Sequence, residues 1–459
     1  MKRRLLLQSG LMYLPLSALA RGNLPQEYSD VIVVGGGSGG LTAALSCREY
    51  GLKATLLEKM AFLGGDTLHS GGYFNAVTDE AVKRGEDSVV LFKQQILKSA
   101  AGYADEDVVS VYAASCGAAL EWLKSQGMKF LPVPHLVYGG LWGRSYKPLQ
   151  PSGTGYVQVL SNACLRKGVD VRTSAAVTGL VTDDEMGRVV GVRVTYRGEQ
   201  RLLFANRGVV LASGGFGANR QMLAQSSPLF AEMGSDSHPG ATGEMIYTAS
   251  SVGAHLRNME FIECVPGGIE ESSEQVRLDY DPTVVMLVDE NGNRFVEETS
   301  PRSEIFSAYR SKNIRRCFTI ADSDAVERIG LARRKSLYRG LYSGRSWRCE
   351  TLEALAEALQ VNPDHLIASA AELQERGVLN KPPYWAVRVF FKIHTTLGGV
   401  AIDTKARVLG AHRAISGLYA CGQMIGNLHG KNRLGGNGIN SAVCFGRIVV
   451  CGRKCCSFV

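Results

Sequence analysis

The chain has 459 residues, 45% of them hydrophobic and 20% charged, which suits a globular protein of two domains with a substantial core. Its net charge is +8, yet the basic residues are dispersed and no basic run carries interleaved aromatics. A nucleic-acid role is disfavoured on that ground, and an anionic substrate or an acidic partner fits better.

Residues 1–20 are expected to lie outside the fold as a signal peptide. Met1-Lys-Arg-Arg4 is a charged start, Leu5 to Leu16 is apolar but broken by Gln8 and Pro15, and Ala18-Leu19-Ala20 is a small-residue cleavage pattern. The stretch is too short and interrupted to anchor stably in a bilayer. Arg3-Arg4 before a leucine run resembles a twin-arginine signal, which exports proteins already folded. An ordinary secretory leader or an N-terminal anchor is the competing reading, and a periplasmic location follows either way.

Next comes Asp30-Val-Ile-Val-Val-Gly-Gly-Gly-Ser-Gly-Gly40, an apolar strand running into G-x-G-x-x-G. Gly35 allows the tight turn, Gly37 lets backbone approach a pyrophosphate, and Gly40 lets helix pack on strand. The pyrophosphate is expected on the N-terminus of a helix starting near Ser38, where unpaired N–H groups and the dipole favour anions. Glu58, closing the strand Ala54-Thr-Leu-Leu57, is placed to accept hydrogen bonds from ribose hydroxyls. Strand, glycines, helix and acidic residue together indicate an adenine dinucleotide.

A second glycine-rich turn, Phe62-Leu-Gly-Gly-Asp-Thr-Leu-His-Ser-Gly-Gly72, follows at once and points to FAD, because a flavin threaded past the first helix needs close backbone approach again. Two further strand-to-glycine junctions, Gly208-Val-Val-Leu-Ala-Ser-Gly-Gly-Phe216 and Cys421-Gly-Gln423 after Gly417-Leu-Tyr-Ala420, suggest one cofactor stretched across one domain. The expected fold is α/β, a Rossmann-like FAD-binding domain in two parts, residues 28–259 and 396–459. Residues 260–395 are richer in charge and carry helical patterns over 351–359 and 364–376, which reads as an inserted α+β capping domain. Ligand chemistry is expected between the two.

The eleven cysteines include no C-x-x-C-H and no C-x-x-C pair of zinc or iron–sulfur spacing, so neither covalent c-type haem nor a metal site is expected. Cys47, Cys116, Cys164, Cys421 and Cys444 lie in apolar stretches and read as buried thiols. The tail cluster of Cys451, Cys455 and Cys456 has no assignment.

The C-terminal motifs are the most specific. His394-Thr-Thr-Leu-Gly-Gly-Val400, Gly417-Leu-Tyr-Ala-Cys-Gly-Gln423 and His429-Gly-Lys-Asn-Arg-Leu-Gly-Gly-Asn437 resemble the fumarate reductase and succinate dehydrogenase flavoproteins, most nearly the soluble flavocytochrome c type. The likeness runs from about Tyr28 to Arg447. It implies flavin contacts from Gly35, Gly37, Ser38, Gly39, Gly40, Glu58 and Lys59, and from Gly65, Asp66, Thr67, Ser70, Gly71 and Gly72. It extends them to Val177, Ser213, Gly214, Thr242, Gly243, Glu244, Thr395, Gln423, Arg433, Gly436, Gly438 and Ile439.

In that family hydride passes from flavin N5 to the β-carbon of an unsaturated acid while an arginine protonates the other carbon. The resemblance places Arg302, in Gly292-Asn-Arg-Phe-Val-Glu-Glu-Thr-Ser-Pro-Arg302, as the proton donor. It gives Arg433 and His394 the grip on one substrate carboxylate, through the charge-assisted bonds that a planar guanidinium and an imidazole can donate. His429 is expected to orient the Arg433 loop.

Other positions depart from the pattern. Val265, in Phe261-Ile-Glu-Cys-Val-Pro266, stands where fumarate reductases carry a histidine for the second carboxylate. In Arg277-Leu-Asp-Tyr-Asp-Pro282 the relay glutamate becomes Leu278 and the relay arginine becomes Asp281, leaving Asp279 or Asp281 as candidates to reprotonate Arg302. Gln423 stands where a flavin-site glutamate is usual. His69 sits two residues before Gly71, not at the spacing of the histidine that binds FAD covalently in membrane-complex relatives, so the FAD is expected to be noncovalent.

The expected function is periplasmic FAD-dependent reduction of an α,β-unsaturated carboxylate, with a monocarboxylic, bulky or aryl substrate favoured over fumarate. Electrons would come from a separate carrier such as a periplasmic cytochrome c or flavoprotein. Fumarate reduction proper, a flavin dehydrogenase running in the oxidative direction and a noncatalytic flavin electron relay remain as alternatives.

Overall fold

A computed structural model of the chain describes residues 24–136, 143–150, 152–183, 185, 187–267, 276, 278, 281–329 and 331–451. The leader, Arg277, Asp279, Cys455 and Cys456 lie outside the described residues.

The architecture is α/β, as read from the sequence. The first strand, Gln26–Val34, turns apolar after Asp30, and Ile32 and Val33 are fully buried. It lies parallel between Ala54–Leu57 and Glu199–Leu211, and Asp170–Arg172 extends the sheet beyond Ala54–Leu57. Such two-sided burial accounts for continuous apolar runs where an exposed sheet would show alternation. On the far side the strands Ala175–Asp183, Arg188–Tyr196 and Glu199–Leu211 pair antiparallel in succession. Ala414–Ala420 returns late in the chain to lie parallel to Glu199–Leu211, so the C-terminal segment completes the first sheet.

The helix Ser38–Glu49 leaves the first strand and packs against Asn437–Cys451. Small residues permit the close crossing: a Cβ added at Gly446 would stand 2.7 Å from the Gly39 carbonyl oxygen.

A second sheet is antiparallel and organised around the long strand Tyr384–Thr396, which pairs with Ile262–Gly267, Cys317–Ala321 and Ser346–Cys349. Met286–Val288 extends it through Cys317–Ala321. The helices Leu352–Leu359 and Pro363–Gln374 cover this sheet. Leu352, Leu355 and Leu359 recur at helical spacing and are buried with Leu366 and Leu373 against Met286 and Ile320. Burying each such leucine stabilises the unit by about 1.5–3 kcal/mol. Thr351 and Asn362 accept backbone N–H bonds at the two helix starts. Among the described residues no helix is long and apolar enough to cross a membrane.

Candidate active site

The first glycine turn shows three different requirements. Gly35 has φ +108°, and a Cβ there would stand 2.4 Å from the Ala212 carbonyl oxygen. At Gly40 a Cβ would meet the Gly35 oxygen, so this glycine sets helix against strand. At Gly37 the nearest protein atom to such a Cβ is 3.5 Å away, so protein packing leaves room there for a ligand. The N-cap residue of the helix that follows, Gly37, has no side chain to offer its first turn, and N–H groups at such a helix start favour an anion. Glu58 is buried, accepting from the Gly36 N–H at 2.7 Å and the Met60 N–H at 2.8 Å.

The second turn crosses the start of this helix. Thr67 Oγ1 accepts from the Ser38 N–H at 3.0 Å, which ties the turn to the first residue of this helix. Asp66 accepts from the His238 N–H, and burial pushes its carboxyl up to about 6. Gln423 donates to Thr395 Oγ1 and accepts from the Gly215 N–H at 3.3 Å, joining the two later glycine junctions. These groups surround a cavity of about 410 Å³. Its helix start, buried acidic residue and glycine-lined wall are the features that a dinucleotide requires.

Arg302, His394 and Arg433 line the same cavity, as do Val265, Leu278 and His429. Arg302 begins the helix Arg302–Ser311. His394 owes its position to a bulge: Glu263 pairs with Thr395 and Cys264 with Ile393, leaving His394 as the extra residue of its strand. Bulges of this kind re-aim a side chain beside a site. Arg433 is held on the loop after His429, whose buried imidazole is pulled down to about 3 by desolvation, with the Arg433 charge adding to the effect. His429 is therefore neutral and stands edge-on to the Tyr112 ring at 6.3 Å.

Most of the expected flavin contacts line the cavity; Gly40, Thr242 and Gly243 do not. Gly40 serves helix packing, Thr242 accepts from Lys59 Nζ, and Gly243 is the N-cap of Glu244–Ser251 with φ +75°. Asp281 requires a correction as a proton source for Arg302. Its carboxylate accepts from the Thr283 N–H at 3.0 Å and hydroxyl at 2.6 Å within its own turn, and it does not line the cavity.

Among the described residues, Glu263 brings a carboxylate to Arg302. Its Oε1 accepts from Arg302 Nη1 at 2.7 Å and from Arg433 Nη2 at 2.8 Å, and its side chain is 1% exposed. Sequence reasoning passed over it, although a lone glutamate inside the apolar Ile262–Gly267 strand was a signal that a buried partner exists. Asn432 was missed too. Its Oδ1 accepts from the Ser303 N–H at 3.2 Å, and its Nδ2 donates to Ser99 Oγ at 2.7 Å.

The FAD binding domain family matches residues 30–439. A probable fumarate reductase of Shewanella frigidimarina is 30% identical, over 94% of this chain and 75% of its own length. The chain belongs to the fumarate reductase and succinate dehydrogenase flavoprotein family. It is an FAD-dependent oxidoreductase of the class acting on CH–CH groups. A urocanate reductase of Eggerthella lenta is 30% identical over 91% of this chain and 73% of its own. An NADH:acrylate oxidoreductase of Vibrio harveyi is 29% identical over 92% of this chain, which spans 50% of that relative's length. Among solved structures, the open conformation of a flavocytochrome c3 fumarate reductase superposes with a TM-score of 0.74 at 29% identity, covering 93% of this chain and 78% of that one.

Proposed function

We propose that this flavoprotein reduces an α,β-unsaturated monocarboxylate with a bulky or aryl tail. The observation that carries the reading is the juxtaposition, in one cavity, of Arg302, His394 and Arg433 with the apolar Val265 and Leu278. FAD held in this cavity would, once reduced by the electron donor, supply the hydride for the β-carbon.

Arg433 and His394 hold the carboxylate beside the double bond, and their donated hydrogen bonds withdraw electron density so that the β-carbon accepts hydride. Arg302 delivers the proton to the α-carbon. A guanidinium is a weak acid, so transfer succeeds only to the strongly basic centre that develops there. Val265 and Leu278 receive the far end of the substrate. A second carboxylate against these side chains would cost several kcal/mol without new partners, whereas an apolar tail gains about 25 cal/mol per Å² buried. Relatives that reduce acrylate and urocanate, both monocarboxylates, support the reading.

The same reading takes FAD as noncovalent. His69 Nδ1 lies 2.8 Å from the Asp236 carbonyl oxygen, a partner suited to a turn histidine. The chain is proposed to be exported by its leader and to take electrons from a separate periplasmic cytochrome c or flavoprotein. Residues 28–259 and 396–459 would form the FAD-binding unit and 260–395 the capping unit.

The test is anaerobic reduction of the bound flavin followed by mixing with enoic acids. An arylacrylate is expected to reoxidise the flavin with a higher kcat/KM than fumarate. Faster turnover of fumarate would assign a dicarboxylate site, with Arg277 in place of the missing histidine.

A further inference from the structure

We propose that Thr319 gives the substrate site a preference for a tail that carries a hydrogen-bonding group, of the phenol or ring N–H kind. The proposal rests on the aryl-enoate reading under Proposed function and names the chemistry of the tail within it. Six threonines line the cavity among the described residues, and five of them use their hydroxyls within the protein. Thr67 Oγ1 accepts from the Ser38 N–H, Thr396 Oγ1 from the Phe216 N–H and Thr395 Oγ1 from Gln423. Thr178 and Thr248 donate to the carbonyl oxygens of Arg193 and Glu244. Thr319 differs: it is 7% exposed, and its hydroxyl has no hydrogen bond among the described residues.

Strand register puts this side chain on the face of the sheet that carries the Arg302 helix. Thr319 pairs with Val387, and two residues away Cys317 pairs with Val389. Paired residues, and alternate residues of one strand, share a face. Thr319 and Val389 therefore stand together, and Phe391, two residues beyond Val389, stands with them. The helix Arg302–Ser311 packs on this face through Phe306 and Tyr309, whose ring centroids lie 5.5 and 4.4 Å from that of Phe391. On its other flank Thr319 pairs with Leu287, so its cross-strand neighbours, Leu287 and Val387, are both apolar. Val265, Leu278 and Val389 line the cavity with it and bring no polar side chain either. A wholly apolar tail that covered this hydroxyl would leave it without a partner, which is unfavourable for a buried polar group. A tail bearing a donor or an acceptor restores the bond, since a hydroxyl can take either part.

Cinnamate and its ortho, meta and para hydroxy isomers share one skeleton and differ by one hydroxyl at a known ring position. Their dissociation constants are read at neutral pH from the absorbance of oxidised FAD in the holoenzyme, which requires no turnover. Wild type should bind at least one isomer more tightly than cinnamate, by about two- to tenfold, the size of one hydrogen bond. Thr319→Val keeps the shape of the side chain and removes its hydroxyl, so that isomer should lose its advantage, whereas Thr319→Ser should retain it. If wild type prefers no isomer, or if the advantage survives in Thr319→Val, the proposal is overturned and the aryl-enoate reading stands. Equal weakening of every ligand leaves the advantage intact, so it would give Thr319 a structural part only and overturns the proposal too. Should Thr319→Val lose its flavin, Thr319→Ala is read in the same way. If wild type binds none of these acids, the aryl-enoate reading fails and this proposal with it.

Discussion

Asn432 Oδ1 accepts the Ser303 backbone N–H at 3.2 Å, so the residue before one site arginine caps the helix that begins with the other. Arg302 opens that helix, and no side chain of its N-cap residue, Pro301, satisfies the first turn. The cap is supplied instead from the loop that carries Arg433. One hydrogen bond thereby fixes the spacing of two guanidinium groups that come from distant parts of the chain.

Asn432→Ala is expected to lower kcat for enoate reduction about tenfold, since losing an N-cap bond costs 0.5–2 kcal/mol and here frees the helix bearing Arg302. FAD content should stay unchanged. Steady-state kinetics beside the flavin-to-protein absorbance ratio checks both, and an unaltered kcat would show that the cap does not position the arginine.

Arg302→Lys is expected to abolish turnover by about a hundredfold or more, because a positioned acid is lost and an ammonium on a flexible stem cannot reproduce the planar donor. Bound FAD should remain. Retention of most activity would place the proton source elsewhere.

The two glycines of the first turn should fail in different ways. Gly37→Ala meets no protein atom closer than 3.5 Å at its new Cβ, so the protein should fold with an ordinary melting temperature yet bind FAD weakly. Gly35→Ala forces φ +108° on an alanine and a 2.4 Å approach to the Ala212 oxygen, so it should lower stability itself. Melting curves of flavin-stripped protein, with and without added FAD, separate the outcomes.

His429 should make the protein sensitive to acid. Its folded value of about 3 lies below the unfolded 6.5, so between them the unfolded chain binds a proton that the folded chain refuses. Stability therefore falls as pH falls through that window, by up to about 1.4 kcal/mol per unit. Asp66, pushed up to about 6 by burial, works in the opposite direction between 3.8 and 6. The difference between wild type and His429→Gln isolates the histidine: the variant should show a shallower loss of stability on acidification. Parallel pH dependences would refute the assignment.

Acid precipitation is expected to leave all FAD in the supernatant. Flavin remaining with the washed, precipitated chain would establish a covalent link.

The cofactor cradle was legible in the sequence because its chemistry is local. A strand, a positive φ at Gly35, a helix start at Ser38 and a closing Glu58 follow one another within a single βαβ unit, and each requirement falls on a residue type that little else can satisfy. The repeated leucines of 352–359 were legible for the same reason, since helical periodicity is a property of neighbours.

The proposed substrate end was legible only as a set of residues. Arg302, His394 and Arg433 could be named, but their relation depends on contacts between distant segments. The bulge at His394 exists because two strands pair with one residue to spare, and a single sequence does not encode that register in any short pattern. Glu263 reads locally as an oddity in an apolar strand. It becomes a charge in the site only when folding brings Arg302 and Arg433 onto one of its oxygens, at sequence separations of 39 and 170 residues. Asp281 stands nearer to Arg302 in the chain than Glu263 does, yet its carboxylate accepts from the N–H and hydroxyl of Thr283, two residues on, and it does not line the cavity. Sequence by itself thus determined the cofactor and named three residues, Arg302, His394 and Arg433, that line one cavity, while burial and strand register decided that Glu263 faces the two arginines.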